Sequence, residues 1–168
     1  MAYHDEEWGR PVRDERGLYE RLCLEGFQSG LSWLTILRKR ENFRAAFAGF
    51  DPDAVARFGE RDVERLLGDA GIVRHRGKIE AAIANAHGVL ALRAAGAPLP
   101  ELMWEYADRD ETAAKELSKR LKAAGFRFVG PTTAYAAMQS LGLVNDHFKG
   151  CHVRVPCNRE RQATNVPK

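Results

Sequence analysis

Apolar residues in this chain recur at intervals of three and four, and almost nowhere at intervals of two. That period belongs to helices and not to strands. Between Asp14 and Phe27 it places Leu18 with Leu22, and Tyr19 with Cys23 and Phe27. Ser32 is placed to cap a following helix carrying Trp33, Ile36, Leu37, Phe43 and Phe47. Asp51 then Pro52 reads as a cap and a first-turn proline. Val63, Leu66 and Leu67 mark a short helix; Ile79, Ile83, Ala86 and Leu90 mark a longer one. Leu102 and Met103 belong to a short helix after Pro100, Thr112 is read as the cap of a stretch with Leu117 and Leu121, and Pro131 opens a helix stopped by Gly142. "FRFV" at 126–129 is too short to found a sheet. The expectation is an all-α fold, a compact bundle with one domain over 1–154. Residues 155–168 read as a polar, unpatterned and mobile tail.

The 168 residues suffice for a real core. A net charge of +3 permits a polyanionic partner without requiring one. Three cysteines, Cys23, Cys151 and Cys157, are too few for a disulfide framework. No apolar run is long enough to span a membrane, and no secretory signal is visible, so the expectation is a cytoplasmic protein without a membrane partner.

Three stretches carry chemistry. "VERLLGDAGIVRHRGKIEAAIANA", within the 62–88 region, is helix, turn, helix. Ile72 and Val73 can plug back between the helices. Gly71 and Gly77 are expected to give the turn conformations closed to other residues. The second helix then offers its N-terminal amides beside Arg74, Arg76 and Lys78, a phosphate-binding arrangement. An ordinary hairpin with a solvated basic turn reads equally well. "NDHFKGC" places His147 and Cys151 four apart, on one face if helical, where they could share a metal; two ligands do not close a zinc site. Glu25, between Leu24 and Gly26, is a carboxylate in an apolar setting, costly unless it has a task.

"AYHDEEWG" (2–9), "CLEGFQSGLSW" (23–33), "RKRENFRAAF" and "GLVNDHFKGC" occur in an order that resembles the 3-methyladenine DNA glycosylase I family, from Ala2 to about Cys151. The resemblance implies a helix-hairpin-helix glycosylase fold, with Gly71, Arg74, Gly77 and Lys78 gripping DNA and Leu31 as the wedge that fills the gap left by a flipped base. It implies a structural zinc whose ligands match His4, His147 and Cys151. The family's remaining cysteine lies upstream of the first histidine, where this sequence has only Met1 to Tyr3; the family's N-terminal segment is read as lacking, with Cys157, His152 or a water as substitutes. It implies that Trp33 stacks on the extruded base, Tyr3 closes a wall, and Glu25, the catalytic residue, accepts hydrogen bonds from the base and favours its positive charge. "GVLALRAAGAPLP" (88–100) holds neither aspartate nor lysine, as in the family. A cationic purine already leaves readily, so hydrolysis can rest on binding the flipped cation, and no Schiff-base lyase step is expected. The implied partners are double-stranded DNA with alkylated adenine and free 3-methyladenine as product, for a bacterial monomer. Two rivals are a non-catalytic DNA-binding module and a metal-clipped helical protein of unrelated function.

Overall fold

Helix α1 (Glu15–Gln28) is buried on nearly all sides, with Leu18, Tyr19, Leu22, Cys23, Leu24 and Phe27 inside. Its second half, from Leu22 to Phe27, is buried on every side, which places α1 at the centre of the bundle. It packs against α2 (Trp33–Ala46), α5 (Arg76–Ala94), α6 (Leu99–Trp104) and α8 (Pro131–Ser140). In this computed structural model residues 2–164 are described, and their regular structure is helical throughout. The remaining elements are α3 (Pro52–Val55), α4 (Glu60–Leu67), α7 (Glu111–Ala123) and α9 (Arg154–Thr164), with a π-helical turn at Tyr3–Glu7 and a 3-10 turn at Ala48–Phe50. None of the described helices is long and apolar enough to cross a membrane.

Phe27, Phe43, Phe47 and Phe50 form a cluster of ring contacts joining α1 to α2 and the turn after it, with centroids 4.7 to 6.4 Å apart. Each such ring, fully buried, contributes roughly 1.5–3 kcal/mol through burial. On the other side of α1, the Tyr19 hydroxyl donates to the Ala82 carbonyl of α5 at 2.6 Å. Asn85 of α5 receives the Arg127 amide at 2.7 Å and donates back to its carbonyl at 3.3 Å. "FRFV" thus satisfies its backbone through a side chain instead of a sheet.

The expected caps at Ser32 and Asp51 are present, and Asp14 caps α1. One cap differs. Asp110, not Thr112, caps α7, accepting from the Thr112 and Ala113 amides and from the Thr112 hydroxyl. An aspartate two residues earlier reaches both amides, which outcompetes the threonine.

The 155–168 tail needs a larger correction. Residues 154–164 are helical. Val153 and Cys157 are buried, and Arg161 is buried one turn further on. Only those positions, four apart, face the core, so the stretch looks unpatterned by composition. Arg161 donates to the Leu143 carbonyl at 2.8 Å and pairs with Asp108. Residues 165–168 lie outside the described region.

The N-terminal strap lies over the end of α8. The Gly9 amide donates to the Ser140 carbonyl at 3.2 Å, and the Val12 amide to the Leu141 carbonyl at 3.0 Å. Gly142, at φ +76°, makes this possible: a Cβ there would sit 2.6 Å from the Arg10 carbonyl carbon. Glu7 then anchors the strap to α2 through Arg40, at 2.5 and 2.8 Å. These links bring Tyr3 and His4 to the site.

Candidate active site and metal cluster

Glu25 is 6 % exposed, at the floor of a cavity of about 270 Å³ between α1, α2 and α8. Tyr3, Trp8, Trp33, Gln28 and Gln139 line the same cavity. Burial pushes the Glu25 carboxyl up to about 7; Arg21, one turn earlier on α1, and the Ser140 hydroxyl pull it down but do not prevail. Trp33 opens α2, where the Ser32 cap fixes its direction. Its ring meets that of Tyr3 at 5.6 Å, tilted by 45°. The Trp33 indole N–H is buried without a hydrogen-bond partner, so a bound acceptor could satisfy it. The pair of aromatic faces with a carboxylate beneath suits a flat cation. Tyr3, Glu25 and Trp33, which the resemblance implied together as pocket residues, line one cavity.

Arg21 was not legible as a site residue. Its guanidinium donates to the Tyr3 hydroxyl at 3.0 Å and lies 3.6 Å from Glu7. Its position one helical turn before Glu25 was the available signal.

Leu31 stands 40 % exposed in the loop between α1 and α2, beside a second opening that Glu25 also reaches. The α4–α5 hairpin reaches the start of this loop through Lys78, at the beginning of α5. Ile72 is buried and Val73 half-buried, as the plug reading requires. The glycines act differently from the expectation. Neither Gly71 nor Gly77 has positive φ. Their surroundings are close instead: a Cβ at Gly71 would lie 3.0 Å from the Asn42 and Asp69 side chains, and one at Gly77 would lie 3.0 Å from the His75 ring, so those side chains would have to shift by a few tenths of an ångström. That ring is the α5 cap, its Nδ1 accepting from the Lys78 amide at 3.1 Å, a role the sequence reading missed.

Lys78 is also corrected. It is not an exposed cation in the turn but 8 % exposed. Its ammonium donates to the Phe27 carbonyl at 3.1 Å and the Ser29 carbonyl at 2.5 Å, at the C-terminal end of α1. That end carries the negative pole of the helix and attracts a cation. Arg76 is engaged with Glu60 and Glu80. Arg74 is exposed.

His147 and Cys151 lie in a non-helical loop, not on a helical face. The loop still brings them together: Cys151 Sγ is 3.7 Å from His147 Nδ1 and 3.8 Å from His4 Nε2. The three potential ligand atoms lie within 4.8 Å of one another. The far nitrogens are already held. His147 Nε2 is 3.0 Å from the Trp8 carbonyl, and His4 Nδ1 is 2.8 Å from Asp5. A carbonyl fixes the proton on His147 Nε2 and leaves Nδ1 as a lone pair facing the sulfur. Gly9, at φ +80°, admits this contact: a Cβ there would fall 2.9 Å from His147 Nε2. Among the described residues, neither Cys157 nor His152 joins the group. Cys157 is buried under the strap, and His152 reaches Asp5 instead.

A family model for methyladenine glycosylases matches residues 1–155. The chain is 49 % identical over 166 residues to DNA-3-methyladenine glycosylase 1 of Escherichia coli K12, across 90 % of this chain and 89 % of that protein. It is 41 % identical over 172 residues to DNA-3-methyladenine glycosylase of Haemophilus influenzae, across 94 % and 91 %. A structure of 3-methyladenine DNA glycosylase I from Staphylococcus aureus, concerned with 3-methyladenine recognition, superimposes with a TM-score of 0.87 at 36 % identity, covering 91 % of this chain and 89 % of that one. With sequence and architecture matched along almost the whole described length, the chain belongs to the methyladenine glycosylase family.

Proposed function

We propose that the chain is a monofunctional DNA glycosylase that hydrolyses the N-glycosidic bond of 3-methyladenine in alkylated duplex DNA. The observation that carries the reading is the Glu25 carboxyl buried in the cavity that Tyr3 and Trp33 also line. A base methylated at N3 is cationic. It stacks on Trp33 and hydrogen-bonds to Glu25, whose ionised form favours its charge and disfavours neutral adenine. The glycosidic bond breaks with its electron pair going to the base, which leaves neutral, and water adds to the sugar and loses a proton. Leu31 fills the stack during extrusion. The α4–α5 hairpin acts as a helix-hairpin-helix, holding a backbone phosphate on the first-turn amides of α5 with Arg74 nearby. The protein acts as a monomer.

His4, His147 and Cys151 would hold a zinc ion. Tetrahedral bonding with Zn–S of about 2.3 Å and Zn–N of about 2.05 Å sets sulfur and nitrogen about 3.6 Å apart, and the two sulfur–nitrogen distances here are 3.7 and 3.8 Å. The zinc would cross-link the N-terminal strap to the 145–151 loop and take no part in bond cleavage.

Incubation with alkylated DNA and chromatography of the freed bases tests the reading. The expected product is 3-methyladenine, with abasic sites left uncut. Duplex binding with no base released would replace this reading with a non-catalytic DNA-binding module.

A further inference from the structure

We propose that Lys78 is a positioning residue that locks the α4–α5 hairpin to the Leu31 loop, so that the grip on DNA and the extrusion of the base keep one register. The proposal rests on the glycosylase reading above. The geometry is specific. Lys78 sits in the first turn of α5, and its backbone amide is held by the cap residue His75 at 3.1 Å. Its ammonium crosses to the last turn of α1, donating to Phe27 and Ser29. Ser29 begins the loop that ends at the Ser32 cap and carries Leu31.

The charge balance makes this link directional. A cation beside a helix N-terminus is unfavourable, and beside a C-terminus favourable. Lys78 starts at the first and places its charge at the second. A buried ammonium also needs acceptors for its protons, and the two carbonyls supply them. These contacts take the ammonium away from the surface, so it does not serve as a phosphate contact. Lys78 lines neither cavity that Glu25 opens into. Its effect on base release therefore passes through the loop.

The test compares the parent protein with Lys78→Met, Lys78→Arg, Leu31→Ala and the double variant Lys78→Met/Leu31→Ala. Single-turnover release of 3-methyladenine is measured at saturating DNA, with duplex affinity at several salt concentrations and binding of free 3-methyladenine. Lys78→Met should slow release by about tenfold or more, as small misplacements of positioning elements do. Free-base binding and the slope of affinity against salt should stay as in the parent. Lys78→Arg should recover part of the rate. The two single losses should overlap, so that Lys78→Met adds little once Leu31 is gone.

A salt slope lowered by about one would assign Lys78 to a phosphate and overturn the proposal. So would additive losses in the double variant, or an unchanged rate at saturating DNA with only the melting temperature lowered. If Lys78→Met does not fold, the double-variant comparison is made with Lys78→Arg, where losses additive with Leu31→Ala would overturn it. A parent that binds duplex but releases no base marks failure of the glycosylase reading itself. In that case 2-aminopurine placed beside an abasic site reads loop insertion, which Lys78→Met should still diminish.

Discussion

At the scale of single residues, the buried Glu25 carboxyl makes stability depend on pH. Its carboxyl is raised to about 7 by burial, while an unfolded chain gives a glutamate about 4.3. Between these values the folded state binds more protons than the unfolded state, so stability falls as pH rises across that window. The stability is fully present below the lower value and lost once pH passes the upper one. A shift of this size corresponds to roughly 4 kcal/mol. Glu25→Gln, which cannot ionise, should match the parent at pH 4 and exceed its stability at pH 8, as read from denaturant midpoints. Equal pH dependence in both proteins would show that the carboxyl is not the source. Function should move oppositely. If the ionised form holds the cationic base, release should climb with pH through about 7 in the parent. In Glu25→Gln that limb should be absent and release should be low throughout. The apolar neighbours Leu24 and Gly26 made this carboxylate conspicuous in the sequence. Arg21 was not, because only the fold brings the Tyr3 hydroxyl to it.

At the scale of elements, helices were legible and their joints less so. Periodicity located α1, α2, α5 and α8 because each turns apolar residues at helical spacing into the core, Ile36, Phe43 and Ala46 in the case of α2. It missed α9, whose inward positions are Cys157 and the charged Arg161, with Val153 just before its start. The hairpin glycines were identified correctly as special but for the wrong reason. Their backbone is ordinary, and the limit is what a Cβ would strike. This distinction is testable. Gly77→Val should push the His75 ring from its capping position, costing about 0.5–2 kcal/mol as lost caps do. Because the amides at the start of α5 then lose their alignment, affinity for abasic-site duplex should fall as well. A salt slope close to the parent's is expected, since no cation is removed. His75→Ala should reproduce the stability loss without adding bulk. If Gly77→Val retained full stability and affinity, the His75 cap would not be what organises this turn.

At the scale of the whole molecule, the site is assembled from chain ends. Tyr3 and His4 arrive on a strap held by Gly9, Val12 and Gly142, and His147 and Cys151 arrive on a loop after α8. No local pattern in the sequence reports that meeting. The helical spacing first read into His147 and Cys151 is absent, yet the loop brings them together with His4, their potential ligand atoms within 4.8 Å of one another, a grouping that the family resemblance implied and the periodicity did not. A metal across this junction would lower the entropy of the unfolded chain by closing a loop of nearly the full sequence. It would stabilise the fold in proportion to the logarithm of free metal over its dissociation constant. Added zinc should therefore raise the melting temperature of the parent, and a chelator should lower it. Three side chains hold the ion less firmly than four, so chelation should be fast. Cys151→Ser should remove the zinc response and lower the melting temperature more than the release rate per folded molecule, because Glu25, Trp33 and the hairpin are positioned by other contacts. Acidification should abolish the zinc response, since thiolate and neutral imidazole are required. A melting temperature indifferent to zinc and chelator, in parent and variant alike, would leave His4, His147 and Cys151 as a hydrogen-bonded junction without an ion.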